Sequence, residues 1–200
     1  AIAAGAAPAA GAAALWPAAE EAPFRRLVSL IRAARERSRE VLVFLGGNAA
    51  ENGMSPLIAD LIDRGWITHL AMVGSLANED AEAAAFGTAG EQPEGTLAEG
   101  TSGMRREAGE LILEALREGY AKGLGYGESL MAHMEAHPGL YPHSRTGMIA
   151  AALRRGIPCT VHVTLGTDAL HACPGADFGV LGGASGIDFR IYTATVSRLE

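Results

Sequence analysis

Residues 41–80 read VLVFLGGNAAENGMSPLIADLIDRGWITHLAMVGSLANED, and this stretch decides the fold. Residues 41–45 form an apolar run that breaks at Gly46-Gly47-Asn48. Residues 53–64 then carry Met54, Leu57, Ile58, Leu61 and Ile62 at helical spacing, which places one apolar stripe on a helix. A second apolar run, 66–73, breaks at Gly74-Ser75. Short apolar runs bounded by glycines suit strands covered on both faces. Two parallel strands need a crossover of this size, and it is expected to be right-handed. Ser55-Pro56 marks the helix start, and Gly65 stands where a helix C-terminal glycine belongs.

A strand that ends in glycines before a helix is where α/β sheets hold ligands. Free N–H groups and the helix dipole attract phosphate there. The dinucleotide fingerprint GxGxxG is absent, because Gly46-Gly47-Asn48-Ala49-Ala50-Glu51 does not match it. Many such turns are simply tight turns.

The chain has 200 residues, enough for one domain with an arm, and a formal net charge of −7, which argues against a general nucleic-acid binder. No apolar run reaches about 18 residues, so no membrane span is expected. The two cysteines, Cys159 and Cys173, form no CxxC pair, and a reducing, cytoplasmic setting is the expectation. Residues 1–20 are mostly alanine, glycine and proline and read as a flexible arm without the basic start of a signal peptide. Residues 21–200 form the expected folded domain. Within it, residues 21–40 read as a helix with Phe24, Leu27, Val28 and Ile31 on one face and arginines around the other.

Beyond the second strand, the acidic run Asn78-Glu79-Asp80 either caps a helix or binds a ribose or an amine. Residues 86–102 read as a loop and 104–117 as a helix. Lys122, the only lysine in the chain, lies among glycines (GYAKGLGYG), surroundings that favour an exposed side chain over a desolvated catalytic amine. Residues 128–136 read as a short helix. His133, His137 and His143 raise the question of a metal, but Pro138 and Pro142 interrupt the region and no nearby cysteine or acidic triad completes a site, so none is expected. A helix over 144–156 leads to a strand over 159–165, ending at Gly166-Thr167-Asp168. His171 and Asp177 follow. Asp168 and His171 read either as an acid–base or orienting pair or as a capping aspartate and a loop histidine. Residues 179–186 are a glycine-rich run, and 187–199 read as a last helix. Two strand ends, 46–48 and 166–168, both present small polar residues, and a site between them is expected.

Two blocks carry a family likeness. FLGGNAAENGMSPLIADLIDRGWITHLAMVGSLANED (44–80) resembles the nucleotide-binding core of the deoxyhypusine synthase family, closest to its bacterial deoxyhypusine-synthase-like branch. GIPCTVHVTLGTDALHACPGADFGVLGGASGIDFRIYTATVSRLE (156–200) resembles a later block, through its GTD, H, P, AD, AS and DFR pattern. The resemblance implies a Rossmann-like, doubly wound, mainly parallel α/β sheet with helices on both faces, bound NAD and a homotetramer. It also implies NAD-dependent transfer of an aminobutyl group from spermidine or a related amine, with a protein lysine as acceptor. Carried over by motif, the cofactor-binding positions are Asn48, Gly53, Gly74, Ser75, Glu79, Asp80, Thr167 and Asp168, and His171 and Asp177 fall to substrate. The family's enzyme lysine belongs to a later segment with no counterpart here, and the domain is expected to lack the closing strands. The alternative on the same fold is a non-catalytic nucleotide-binding or interaction protein.

Overall fold

The computed structural model describes residues 18–89 and 104–199. Most of the expected N-terminal arm and of the expected 86–102 loop lie outside the described residues. Helix α1 (Ala18–Glu36) precedes strand β1 (Leu42–Leu45), and two helices follow, α2 (Asn48–Glu51) and α3 (Ser55–Asp63). Strand β2 (His69–Val73) runs directly into α4 (Gly74–Phe86). Next come α5 (Arg106–Ala121), α6 (Tyr126–Ala136), α7 (Met148–Arg155), strand β3 (Cys159–His162) and α8 (Phe178–Val196). Short 3-10 turns occupy Pro138–Leu140, Ser144–Thr146 and Ala169–Ala172.

The three strands form one parallel sheet in the order β1-β2-β3, with Leu42 opposite His69 and Leu70 opposite Cys159. In the central strand His69, Leu70, Ala71 and Met72 are all fully buried. Successive side chains of a strand point to opposite faces, so β2 is covered on both. Fully burying a side chain such as Leu70 or Met72 contributes about 1.5–3 kcal/mol each. The core continues through Ile62, Leu76, Ile112, Leu116, Leu130 and Ile149. Gly65 and Gly156 end α3 and α7 in the left-handed conformation, φ 73° and 61°.

The two sheet edges differ. Along the outer side of β3, side chains of α8 take the place of another strand. Ser185 Oγ donates to the Val161 carbonyl at 3.0 Å and accepts from Val163 N–H at 3.1 Å, while Asp188 Oδ2 accepts from Val161 N–H at 2.7 Å. Those backbone groups are therefore satisfied without a neighbouring strand. On β1, by contrast, Phe44 is 46% exposed.

Three expectations change. Ser55 is the first residue of α3, behind Met54, and caps nothing with its side chain. Residues 144–147 form a 3-10 turn before α7 instead of joining it. The glycine-rich run 179–186, left outside a last helix expected to begin at 187, is the first half of α8. Gly179, Gly182, Gly183 and Gly186 recur at helical spacing, and a side chain at Gly183 would run into Tyr120 of α5. The glycines thus line one face, and at Gly183 the missing side chain lets α5 approach.

Candidate functional site

The carboxyl ends of the three parallel strands meet. β2 passes into α4 without a loop: Val73 is extended (φ −75°, ψ 158°), and no side chain caps the helix start. Ser75 Oγ lies 3.0 Å from where a Cβ on Gly47 would stand, which puts the β1 turn directly on the first turn of α4. From the other side Asp168 lies against Gly74, where any Cβ would collide with its carboxylate. Gly74 is therefore required by close approach of the β3 turn, not by its own φ. Asp168 Oδ2 accepts from Thr164 N–H at 3.2 Å, and Thr167 Oγ1 donates to the Thr164 carbonyl at 3.2 Å, so the β3 turn holds itself in shape. Gly46 has open space on its Cβ side.

The other candidate residues have more local roles. Asn48 is the exposed first residue of α2, and its carbonyl accepts from Asn52 Nδ2 at 2.7 Å. Gly53 makes the left-handed turn into α3, φ 69°. Glu79 is half-buried on α4 and already partnered. Asp177 caps α8, its Oδ1 accepting from Gly179 N–H at 2.8 Å and Val180 N–H at 3.1 Å. His171 donates from Nδ1 to the Asp168 carbonyl at 3.0 Å and stacks on Phe178 at 5.4 Å. It is thus tied to the backbone of Asp168 and not to its carboxylate, and its buried Nε2 has no partner.

Asp80 sits in a different environment from Asp168. It is 2% exposed, and its two oxygens accept from Met148 and Ile149 N–H, both at 2.9 Å. It caps α7, a helix far along the chain, and burial pushes its carboxyl above the usual range while the two N–H groups work against that shift. Asp188, which sequence reading did not single out, does a comparable job. Its Oδ2 also accepts from Gly127 N–H at 2.9 Å, linking the β3 edge to the start of α6, and burial pushes its carboxyl to about 7. Its only sequence signal was an aspartate on the apolar side of a helix.

Beside the strand ends, α4 and the 142–147 segment enclose a cavity of about 450 Å³ with Gly53 and Ser55 on its wall. Arg145 and His143 also line it, and Arg145 has no ion pair among the described residues. Deeper in, Tyr126 Oη donates to Asn78 Oδ1 at 2.6 Å, leaving the buried Asn78 Nδ2 without a partner. Neither thiol is poised as a nucleophile, because burial pushes both Cys159 and Cys173 up. Lys122 is exposed at the end of α5.

No family model matches the chain, and no curated protein matches it in sequence. Solved structures do. ArgZ, an arginine dihydrolase from the ornithine-ammonia cycle in cyanobacteria, aligns with 15% identity and a TM-score of 0.58 over 90% of this chain and 22% of its own. AgrE, as a point mutant in binary complex with L-arginine, aligns with 19% identity and a TM-score of 0.58 over 88% and 23%. A conserved putative LOR/SDH protein from Methanococcus maripaludis aligns with 17% identity and a TM-score of 0.52 over 78% and 43%. The chain spans less than half the length of each, and at these identities the likeness is one of fold. These findings overturn the kinship with deoxyhypusine synthase, and the spermidine aminobutyl transfer inferred from it falls too. The quoted blocks are strand, glycine turn and helix, a pattern that any parallel sheet of this kind demands. What stands is an α/β chain with a small parallel sheet wrapped by helices, and among the described residues no helix is long and apolar enough to cross a membrane.

Proposed function

We propose that this chain is a nucleotide-binding module of a larger LOR/SDH-like protein, with NAD as the ligand class. On this reading the three strands belong to a Rossmann-like, doubly wound sheet. The observation that carries it is the meeting of three parallel strand ends around the uncapped start of α4. On this reading the phosphate goes to the Gly47–Ser75 side, where the N–H groups of the first α4 turn and the Ser75 hydroxyl would donate to it. It does not fit on the Gly74 side, which the Asp168 carboxylate already occupies. Asp168 is left to accept from ribose hydroxyls, and NAD would supply hydride exchange when bound. The neighbouring cavity, with the Arg145 guanidinium and Ser55, suits a small substrate bearing a carboxylate.

Titration of the full chain with NAD, followed by calorimetry, tests this. Saturable binding is expected in the micromolar to low millimolar range. Ser75→Glu puts a negative charge in the first helical turn, which a helix tolerates, and is expected to abolish binding while the chain stays folded. A chain that shows no saturation at millimolar NAD, or binds equally well with Ser75→Glu, does not carry this site. L-Arginine, added alone and then with NAD, probes the adjoining cavity.

A further inference from the structure

We propose that Glu118, His133 and His137 form a binding site for a divalent transition ion of the zinc class, on the α5–α6 hairpin. The three side chains come from two helices that touch closely. Gly119 packs so tightly on Ser129 that a Cβ there would overlap it, with the Ser129 Cα only 2.8 Å away. This contact sets Glu118, the neighbour of Gly119, beside His133, one helical turn after Ser129. His137, one turn further on, closes the group. The ligand atoms of all three lie within 4.8 Å of one another. His137 ends the helix as its C-terminal cap, its N–H still bonded to the His133 carbonyl at 2.9 Å, so the two imidazoles stand side by side and can chelate one ion, and a carboxylate from the facing helix completes a three-ligand set with room for water.

The surroundings of His133 are what distinguish this group from a chance surface cluster. His133 is 4% exposed, and its Nδ1 lies 2.9 Å from the hydroxyl of Tyr141, itself 2% exposed. A partner on Nδ1 holds the ring in place and leaves Nε2 as the nitrogen open to an ion, as outer partners of metal-bound histidines do. With Nδ1–H donating to Tyr141, Nε2 is the ligand atom. Burial, and then His137 beside it, pull the His133 pKa down. The two rings stand 4.6 Å apart at 49°, not stacked face to face. Ligand atoms around tetrahedral zinc stand about 3.3 Å apart, so the group has to contract by an ångström or so. Glu118 and His137 are both exposed and free to supply that movement. The remaining charges facing His133 are Glu114 and Lys122, which oppose each other. Two nitrogens and one oxygen favour zinc, cobalt, nickel or copper over magnesium or calcium.

The test uses the untagged full chain, stripped with a chelator and titrated with zinc by calorimetry and with cobalt by visible absorption. One zinc per chain is expected at micromolar affinity, with a cobalt d–d band. His137→Ala and Glu118→Gln, both at exposed positions, are expected to lower affinity at least about tenfold and remove the band. Tyr141→Phe is expected to weaken binding several-fold by freeing the His133 ring. His143→Ala is expected to change neither readout. Zinc binding weaker than about 0.1 mM, or binding that survives both His137→Ala and Glu118→Gln, would overturn the site.

Discussion

Asp80 and Asp168 both follow a parallel strand, and in sequence they look alike. In the folded chain they have little in common. Asp80 is buried within α4, and both its oxygens are committed to the start of α7. Asp168 is half-buried in a turn, bonded to its own loop at Thr164, and faces the meeting point of the strands. A carboxylate whose every lone pair is used by buried N–H groups is part of the scaffold. One held on a single side keeps capacity for a ligand. The difference arises because β2 enters α4 without a loop. Asp80 thus lies a turn and a half into a helix, on its inner face, instead of at the rim.

The sharpest way to break this comparison is to remove each carboxylate. Asp80→Ala leaves two buried N–H groups unpaired and is expected to cost about 2–4 kcal/mol, lowering the melting temperature by roughly 5–15 °C. A loss below about 1 kcal/mol in chemical denaturation would mean that Asp80 is not structural.

The next effect is in pH. The Asp188 carboxyl is raised to about 7, above its unfolded value, so its stabilising contribution is full at acid pH and is lost as pH rises through 7. His69 has the opposite sign. Buried between Thr195 and Thr160, at 2.9 and 3.0 Å, it is pushed down to about 4, chiefly by burial. Its contribution is full above about 6.5 and is lost as pH falls through 4. Between about pH 4 and 6.5 the two oppose each other. Asp188→Asn removes one of them, and the stability of the variant is expected to rise with pH across that window more steeply than that of the unmodified chain, by on the order of 2–3 kcal/mol. Parallel denaturation curves for the two proteins from pH 4.5 to 7.5 would contradict the assignment.

Smaller again is Asp168→Ala. Stability is expected to change by less than about 1 kcal/mol, since one bond to a loop N–H is lost, while NAD affinity falls at least several-fold. Thermal unfolding with and without NAD separates the two outcomes, and a large loss of stability without ligand would place Asp168 with Asp80. The smallest effect tests the glycine-rich half of α8. Gly186 has open space around it and sits within a helix, so Gly186→Ala is expected to stabilise by about 0.5–1 kcal/mol. No gain would mean that this segment is not helical in solution.

Much of the fold was legible because its signals are local. The β1–α3–β2 crossover follows from apolar runs, a helical stripe and Gly65, each read within a few residues. The convergence of Gly74-Ser75 with Thr167-Asp168 at one edge also follows once the strands are parallel, since all their carboxyl ends then point the same way. Other features were not legible. The glycines at 179, 182, 183 and 186 were read by composition, whereas their helical spacing belongs to α8, where Gly183 packs against Tyr120. That Asp177 caps the exposed start of α8 was not read from the sequence either, because the helix was expected to begin only at 187. Glu118 stood too far from His133 and His137 in the chain for any spacing rule to join them.

The amino-acid sequence by itself determined the alternation of strand and helix, the parallel sheet and the strand ends where small polar residues gather, because periodicity and turn chemistry act over a few residues. Only the tertiary structure decided which carboxylates are spent on the scaffold, that α8 closes the β3 edge with Ser185 and Asp188, and that two helices bring a glutamate to a pair of histidines. Those outcomes depend on which faces meet across long separations in the chain, and burial and hydrogen-bond satisfaction are properties of the meeting, not of either segment alone.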